Sequence, residues 1–371
     1  MARFQTVVTE LSLALGLVGA VTKEDIRDLL KSEEEINSLF QGSVIPGEIQ
    51  QVLVVLESSA NSKYRKLYPV VVNLLHLGNK LRVVPRFSCL FSESVLWTGG
   101  QQQAQTMSMP KDLIAGLVPI SVKTNSHVIA NPSPENLFRK LPSGEIETAR
   151  SVDWYLQVAR AEYQHLYQAV REILPQVRLP AKLEAFLSWK RKDRKAVGDL
   201  LTDKRLSPQQ KKIWDAAYLP FIAKVSQESA RLFSEAYGNV KKKSSLHEMI
   251  VRKFLRLDAC PYLFCVADQR EGVFAFEVQD ITSWSHRYKL QRVESIAEER
   301  AQPATRFVLT IEDRQSKQRF TLRYHSEIRW SHGRFVSNPE AKLYKDVRWE
   351  EIPGLKKVMG WDAFVMKKLA R

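Results

Sequence analysis

The chain has only 3 cysteines in 371 residues, Cys89, Cys260 and Cys265. So few, so widely spaced, exclude a disulfide framework and a four-thiolate zinc site. Long apolar runs are missing too, and nothing approaches the roughly 20 residues of a membrane helix. The N-terminal stretch LSLALGLVGAVTKEDI is apolar, but it lacks a basic flank before it and has an acidic one after it, which argues against a secretory signal. A reduced, soluble, cytoplasmic protein with no membrane partner is expected. There is no GxxxxGK[ST] and no GxGxxG, so neither a nucleotide-driven motor nor a dinucleotide site is indicated. The 7 histidines include no H-E-x-x-H. His325 and His332 with Cys260 and Cys265 could be drawn into a zinc site, but Cys265 reads as a core strand position.

Negative charge is also in short supply. Asp and Glu number 41 against 56 Lys and Arg, a net charge of +15. Residues 1–150 hold 15 basic and 14 acidic residues, whereas 151–371 hold 41 and 27, so the excess falls almost wholly in the last 60% of the chain. Such a field attracts a polyanion, and nucleic acid is the commonest one.

The pattern of apolar residues divides the chain into four regions. Residues 1–80 read as helices: TKEDIRDLLKSEEEINSLF with Thr22 as its cap, PGEIQQVLVVLESS after a Pro-Gly break, and KYRKLYPVVVNLLHLGNK ending at Gly78. Residues 81–150 carry short apolar runs, LRVVPRF, SVLWTGG, KDLIAG and VPISVK, expected to form a small sheet, with 131–150 a loop of at most one helical turn. Residues 151–257 return to helix. One helix is expected from Ser151 through REIL, one from Ser207 to Gly238 with Pro220 as a kink, and one over SLHEMIVRKFLRLD. Residues 258–371 are basic and β-rich, with strands at PYLFCVAD, VFAFEVQD, RFVLTIED and QRFTLRYHSEIRW. The expected class is α/β (α+β), a central mixed sheet flanked by helices, with a further β-rich C-terminal region.

The chemistry is concentrated in PKDLIAGLVPISVKTNS, residues 110–126. An aspartate, Asp112, opens one strand, and a lysine, Lys123, stands near the end of the next. Side chains two apart on a strand share a face. Ser121 and Lys123 are such a pair, with Val122 turned the other way. This arrangement, PKD followed by SVK, resembles the PD-(D/E)XK nuclease motif, and within it type II restriction endonucleases whose SVK strand runs into an Asn/Ser/His-rich stretch. The likeness covers about residues 95–140. It implies a restriction-endonuclease-like sheet and Mg²⁺ as cofactor, with Asp112 as metal ligand. The Val122 carbonyl would be a further ligand, and Lys123 would serve the attacking water. The family's second acid should stand at position 121, where this chain has Ser121. Glu93 is the nearest carboxylate to fill that gap, and Glu135 is a second.

Two stretches carry residues suited to DNA. Around the motif stand Gln105, Asn125, Ser126, His127 and Asn131. Amides and hydroxyls of this kind bond phosphates and base edges. Residues 321–345 interleave Arg323, Arg329, His332, Arg334, Asn338 and Lys342 with aromatics, around an expected hairpin turn at His332–Gly333. Alternation would put Arg323, His325 and Glu327 on one face. The same stretch resembles an H-N-H nuclease hairpin only faintly. The runs KRKDRK (190–195) and KKK (241–243) read as solvated loops or non-specific phosphate contacts. The expectation is a Mg²⁺-dependent, site-specific endonuclease that cleaves double-stranded DNA to 5′-phosphate ends. It would act as a homodimer beside a cognate DNA methyltransferase. A non-catalytic DNA-binding protein and a structure-specific repair or mobile-element nuclease are the alternatives.

Overall fold

A computed structural model describes residues 2–58, 63–88, 93–98, 111–124, 127–145, 153–268 and 272–362. These gather into two compact units, each assembled from separated stretches. The first comprises Met1–Ser126, Leu255–His286 and Trp349–Arg371, and the second His127–Phe254 and Arg287–Arg348. The chain thus leaves the first unit twice and returns twice.

The first unit opens with helices α1 (Ala2–Val18), α2 (Lys23–Leu29), α3 (Glu33–Phe40), α4 (Pro46–Glu57), α5 (Tyr68–Arg82) and the single turn α6 (Pro85–Ser88). α1 is apolar almost all round, the pattern of a helix enclosed in a core. Val8, Leu11, Leu13, Ala14 and Leu15 have no exposed surface. The hydroxyls of Thr9 and Ser12 bond carbonyls of their own helix. α1 and α5 cross closely because Gly16 and Gly78 leave room: a β-carbon on Gly16 would meet the Leu75 carbonyl, and one on Gly78 the Leu13 carbonyl. Gly78 is therefore a contact residue inside α5 and not its end, as the sequence had suggested. Thr22 caps α2 in a reciprocal box with Asp25, as expected, but Ser32 caps a new helix, so TKEDIRDLLKSEEEINSLF is two helices. LRVVPRF is likewise helical at both ends and not a strand, since Pro85 can start a helical turn at no cost in hydrogen bonds.

Strands β1 (Val95–Trp97), β2 (Leu113–Ala115) and β3 (Val118–Lys123) follow. The second unit then runs through β4 (Val128–Ala130), a π-helical turn at Asn136–Lys140, and α7 (Leu141–Ser143). Residues 134–143 are thus helical where a loop was expected. α8 (Trp154–Val158) and α9 (Arg160–Ile173) are separated at Ala159 and capped by Asp153, so the single helix expected there is broken. Ser151, proposed as its cap, lies outside the described residues. α10 (Leu183–Leu187), α11 (Arg191–Leu200), α12 (Pro208–Asn239) and α13 (Ser244–Leu255) complete this stretch. Ser207 caps α12, and Pro220 lies inside it. Back in the first unit come β5 (Tyr262–Asp268), β6 (Gly272–Val278) and α14 (Ile281–Arg287). The second unit closes with β7 (Tyr288–Glu298), β8 (Ala304–Asp313), β9 (Arg319–Trp330) and β10 (Pro339–Lys345), the first with β11 (Leu355–Asp362).

Each unit is built on one sheet. In the first, the order is β1-β2-β3-β5-β6-β11. β1, β2 and β3 form an antiparallel meander, β3 runs parallel to β5, and the remaining pairs are antiparallel. Ile120 and Val122 lie on the face that joins the core of α1, α4 and α5, together with Leu263, Cys265 and Ala275. In the second unit the order is β4-β10-β9-β8-β7, antiparallel throughout. The molecule is a mixed α/β protein with sheets of six and five strands among the described residues. No single described helix is long and apolar enough to cross a membrane, and α1 with α2 would do so only across an 88° bend.

Candidate active site

Asp112 and Lys123 meet at one end of the first sheet. The β2–β3 hairpin pairs Leu113 with Ile120, and the ladder continues one step further, where the Asp112 N–H donates to the Ile120 carbonyl at 2.8 Å. Asp112 thereby comes opposite the Ser121–Val122 peptide. One carboxylate oxygen, Oδ2, accepts from the Val122 N–H at 2.6 Å and from the Ser121 hydroxyl at 3.1 Å. The other oxygen makes no hydrogen bond among the described residues. On the far side, Thr98 donates its N–H to the Asp112 carbonyl, which fastens the aspartate's backbone to the end of β1.

Ser121 is fully buried and bonded on both sides. Its hydroxyl donates to Asp112 and accepts from the guanidinium of Arg256 at 3.2 Å. Arg256 follows α13 directly and is 2% exposed, a rare burial for an arginine. Its guanidinium lies 4.6 Å over the ring of Phe264, the residue paired with Ser121 across β3 and β5. Its backbone has φ +60°, a conformation that favours glycine. The chain accepts roughly 1 kcal/mol or more of strain to keep a side chain there. The carbonyl of the same residue accepts from the Tyr262 hydroxyl at 2.6 Å, which holds the turn in place.

A second carboxylate enters from α1. Glu10 is 4% exposed and accepts a hydrogen bond from the Trp97 indole at 2.8 Å. Burial, and then the charge of Asp112, push its carboxyl up to about 7, against the pull of Trp97 and Lys123. Burial likewise raises Asp112, opposed by its bond to Val122 and by Lys123. Lys123 is pushed down, first by burial and then by the positive charge of Arg256, while Asp112 and Glu10 pull it back up. Its ammonium makes no ion pair within 4.0 Å among the described residues. The result is two carboxylates and an amine in one partly dehydrated end of a sheet, each acting electrically on the others.

Hard oxygen ligands of this kind suit Mg²⁺, which takes one or two carboxylates and otherwise water or phosphate. Asp112 keeps one carboxylate oxygen unbonded among the described residues, and burial and the charge of Asp112 make Glu10 hold its proton more tightly than an ordinary carboxyl. Both features fit a dication. The described residues contain no group of three or more His, Cys, Asp or Glu that could hold a metal by itself.

The two acids named from sequence are placed elsewhere. Glu93 precedes β1, and the register Trp97↔Leu113 sets Thr98 beside Asp112. Glu93 lies in the bend before β1, five positions from Thr98, and is exposed. Glu135 belongs to the second unit and pairs with Arg139 at 3.4 Å. Glu10 was missed, although a signal existed: it is the only charged residue between Phe4 and Thr22. A lone acid in so apolar a helix had to be buried with a purpose. Arg256, between Leu255 and Leu257, gave a similar but weaker hint.

Of the residues proposed for DNA, Gln105, Asn125 and Ser126 lie outside the described residues. His127 is half-buried in the turn before β4 and Asn131 is exposed after it. β9 and β10 form the expected antiparallel pair around His332–Gly333, with Gly333 at φ +114°. His332 and Arg323 are exposed. The rest of that face is largely engaged within the protein. Arg334 pairs with Asp203 at 2.8 Å, donates to the Leu201 carbonyl and covers Trp214 at 4.2 Å. Lys342 faces Glu340 at 3.6 Å, Arg329 stands opposite Glu340 across the strands, and Asn338 is half-buried. His325, expected to project outward, is buried between Asp346 at 2.6 Å and Arg300 at 2.8 Å. Cys265 is buried in β5 and belongs to the core, as its place in the strand suggested, while Cys260 is exposed.

Comparison with known proteins finds no family model, no curated protein and no solved structure that matches the chain.

Proposed function

We propose that the protein is a Mg²⁺-dependent, site-specific DNA endonuclease of the PD-(D/E)XK kind, resembling type II restriction enzymes. The observation that carries this reading is the convergence of Asp112, Lys123 and Glu10 from three separate elements on one end of one sheet. An antiparallel β1-β2-β3 meander with a parallel β5 beside it is in keeping with a restriction-endonuclease-like core.

In this reading Glu10 supplies the acid that position 121 lacks. Asp112 and Glu10 would hold the metal, with the Val122 carbonyl as a further ligand. The ion would supply charge stabilisation on phosphorus and a more acidic water. Lys123, lowered by burial and by Arg256, gives up its proton more readily than an ordinary lysine and would serve as the proton-handling group of the site. Ser121 aims the Asp112 carboxylate and is itself held by Arg256. Cleavage leaves 5′-phosphates. A homodimer would match the symmetry of a palindromic site, with a cognate methyltransferase protecting the host DNA. The setting would be the cytoplasm.

The test is incubation with unmethylated phage DNA in Mg²⁺ or in EDTA. Discrete Mg²⁺-dependent fragments bearing 5′-phosphates are expected. Failure to cut several DNAs, linear and branched, with salt-dependent binding intact, would leave a DNA-binding protein with no nuclease activity.

A further inference from the structure

The whole basic excess lies in the second unit. Counted over the ranges of the two units, the first holds 19 basic and 19 acidic residues and the second 37 and 22. Of the 37 basic residues of the second unit, 13 form ion pairs with carboxylates among the described residues. Arg160, Arg231, Arg252, Arg287, Arg306 and Arg319 each sit on a carboxylate. On the β9–β10 hairpin, Arg334 and Lys342 are paired with acids, while Arg323 is exposed.

One region differs. Residues 190–212 hold 9 basic and 3 acidic residues. Two of those acids are taken, Asp199 by Lys195 and Asp203 by Arg334. At the start of α11, Lys190, Arg191 and Lys192 are exposed with no acidic partner among the described residues. In the connection to α12, Lys204 and Arg205 are the same, and so are Lys211 and Lys212 in the first turns of α12. The first two groups flank the 10-residue helix α11 and so stand about 15 Å apart at 1.5 Å per residue, and the third follows at the start of α12. The backbone beneath them is fixed. A β-carbon on Gly198 would lie 2.7 Å from the Arg334 carbonyl, so α11 lies tight against residues 334–336. Arg194 donates to the Phe335 carbonyl at 3.3 Å, and Arg334 ties the connection through Leu201 and Asp203. Unpaired cations on a rigid surface, several phosphate spacings long, are what a nucleic-acid backbone requires.

We infer that α11, the α11–α12 connection and the start of α12 form the surface that binds the phosphate backbone of double-stranded DNA, independently of base sequence. The inference rests on the nuclease reading only for the choice of polyanion. The β9–β10 hairpin, favoured from sequence, is then left at most a minor contact.

The test is fluorescence anisotropy with a labelled duplex in EDTA across a salt series. The wild type is compared with a variant carrying Lys204→Ala, Arg205→Ala, Lys211→Ala and Lys212→Ala, and with a Lys241→Ala, Lys242→Ala control. The fourfold variant should lose about 3 to 4 from the slope of log K against log salt, at about 0.9 per phosphate contact, and bind more than tenfold more weakly at moderate salt. The control should lose little. An unchanged slope in the fourfold variant, or a larger loss in the control, overturns the assignment, as does a wild type that binds no duplex at low salt. Cutting is scored separately in Mg²⁺, so a failed nuclease reading and a failed binding surface give different results.

Discussion

Glu10→Gln gives a quantitative handle on the site without any knowledge of substrate. Glutamine is isosteric and can still accept from the Trp97 indole, so the packing of α1 is retained. What changes is titration. The Glu10 carboxyl is raised from its ordinary 4.5 to about 7 in the folded protein. A raised carboxyl means that the folded state holds its proton more tightly than the unfolded chain does. Folding is therefore helped by that proton below about pH 4.5, and the help is lost as pH rises through about 7. The change corresponds to about 3 kcal/mol at 1.36 kcal/mol per pH unit. At about pH 4 the variant and the wild type should be nearly equal in stability. By about pH 8 the variant should be more stable, by up to about 3 kcal/mol. Urea denaturation in EDTA at several pH values measures this directly. Mg²⁺ should restore much of the wild-type loss at high pH and help the variant far less. Curves for the two proteins that run parallel across the range would refute both the burial of a proton-binding Glu10 and its electrical coupling to Asp112.

Other consequences concern the supports of the site. Ser121→Ala removes a donor from Asp112 and an acceptor from a buried guanidinium, and should cost about 1–3 kcal/mol, read by the same denaturation. Gly78→Ala drives a methyl into the Leu13 carbonyl and should cost about 1–3 kcal/mol while shifting the Glu10 helix, so Mg²⁺-dependent cutting should fall even in protein that remains folded. Arg256→Lys keeps the charge but not the flat guanidinium over Phe264, and should lower cutting more than it lowers stability, whereas Arg256→Leu should lower both.

Asp112, Ser121 and Lys123 were legible in the sequence because one hairpin brings them together. Asp112 and Ser121 are nine positions apart, and two-residue alternation does the rest. Glu10 and Arg256 come from 102 positions before and 144 after Asp112, and no local rule connects them. Helix starts at Thr22, Pro46 and Ser207 could be read from their caps. The end of α5 could not, because Gly78 serves a helix crossing and looks in sequence like a stop. Charge followed the same logic. Counting basic residues located the excess roughly, but which of them are neutralised depends on distant acids. Arg334 and its partner Asp203 are 131 positions apart, and their pairing neutralises a cation of the hairpin while Arg191 and Lys192 of α11 have no acidic partner among the described residues. The division into two interleaved units was equally hidden, since no composition shift marks the second entry and return of the chain.

In the proposed mechanism, Glu10, Asp112 and Lys123 act together at one metal-dependent site. The measurement that tests it is cleavage of unmethylated DNA in Mg²⁺ by Glu10→Gln, Asp112→Asn and Lys123→Met, run beside Glu93→Gln. The first three should lose cutting and the last should keep it. Cutting that survives in Glu10→Gln and disappears in Glu93→Gln would contradict the account.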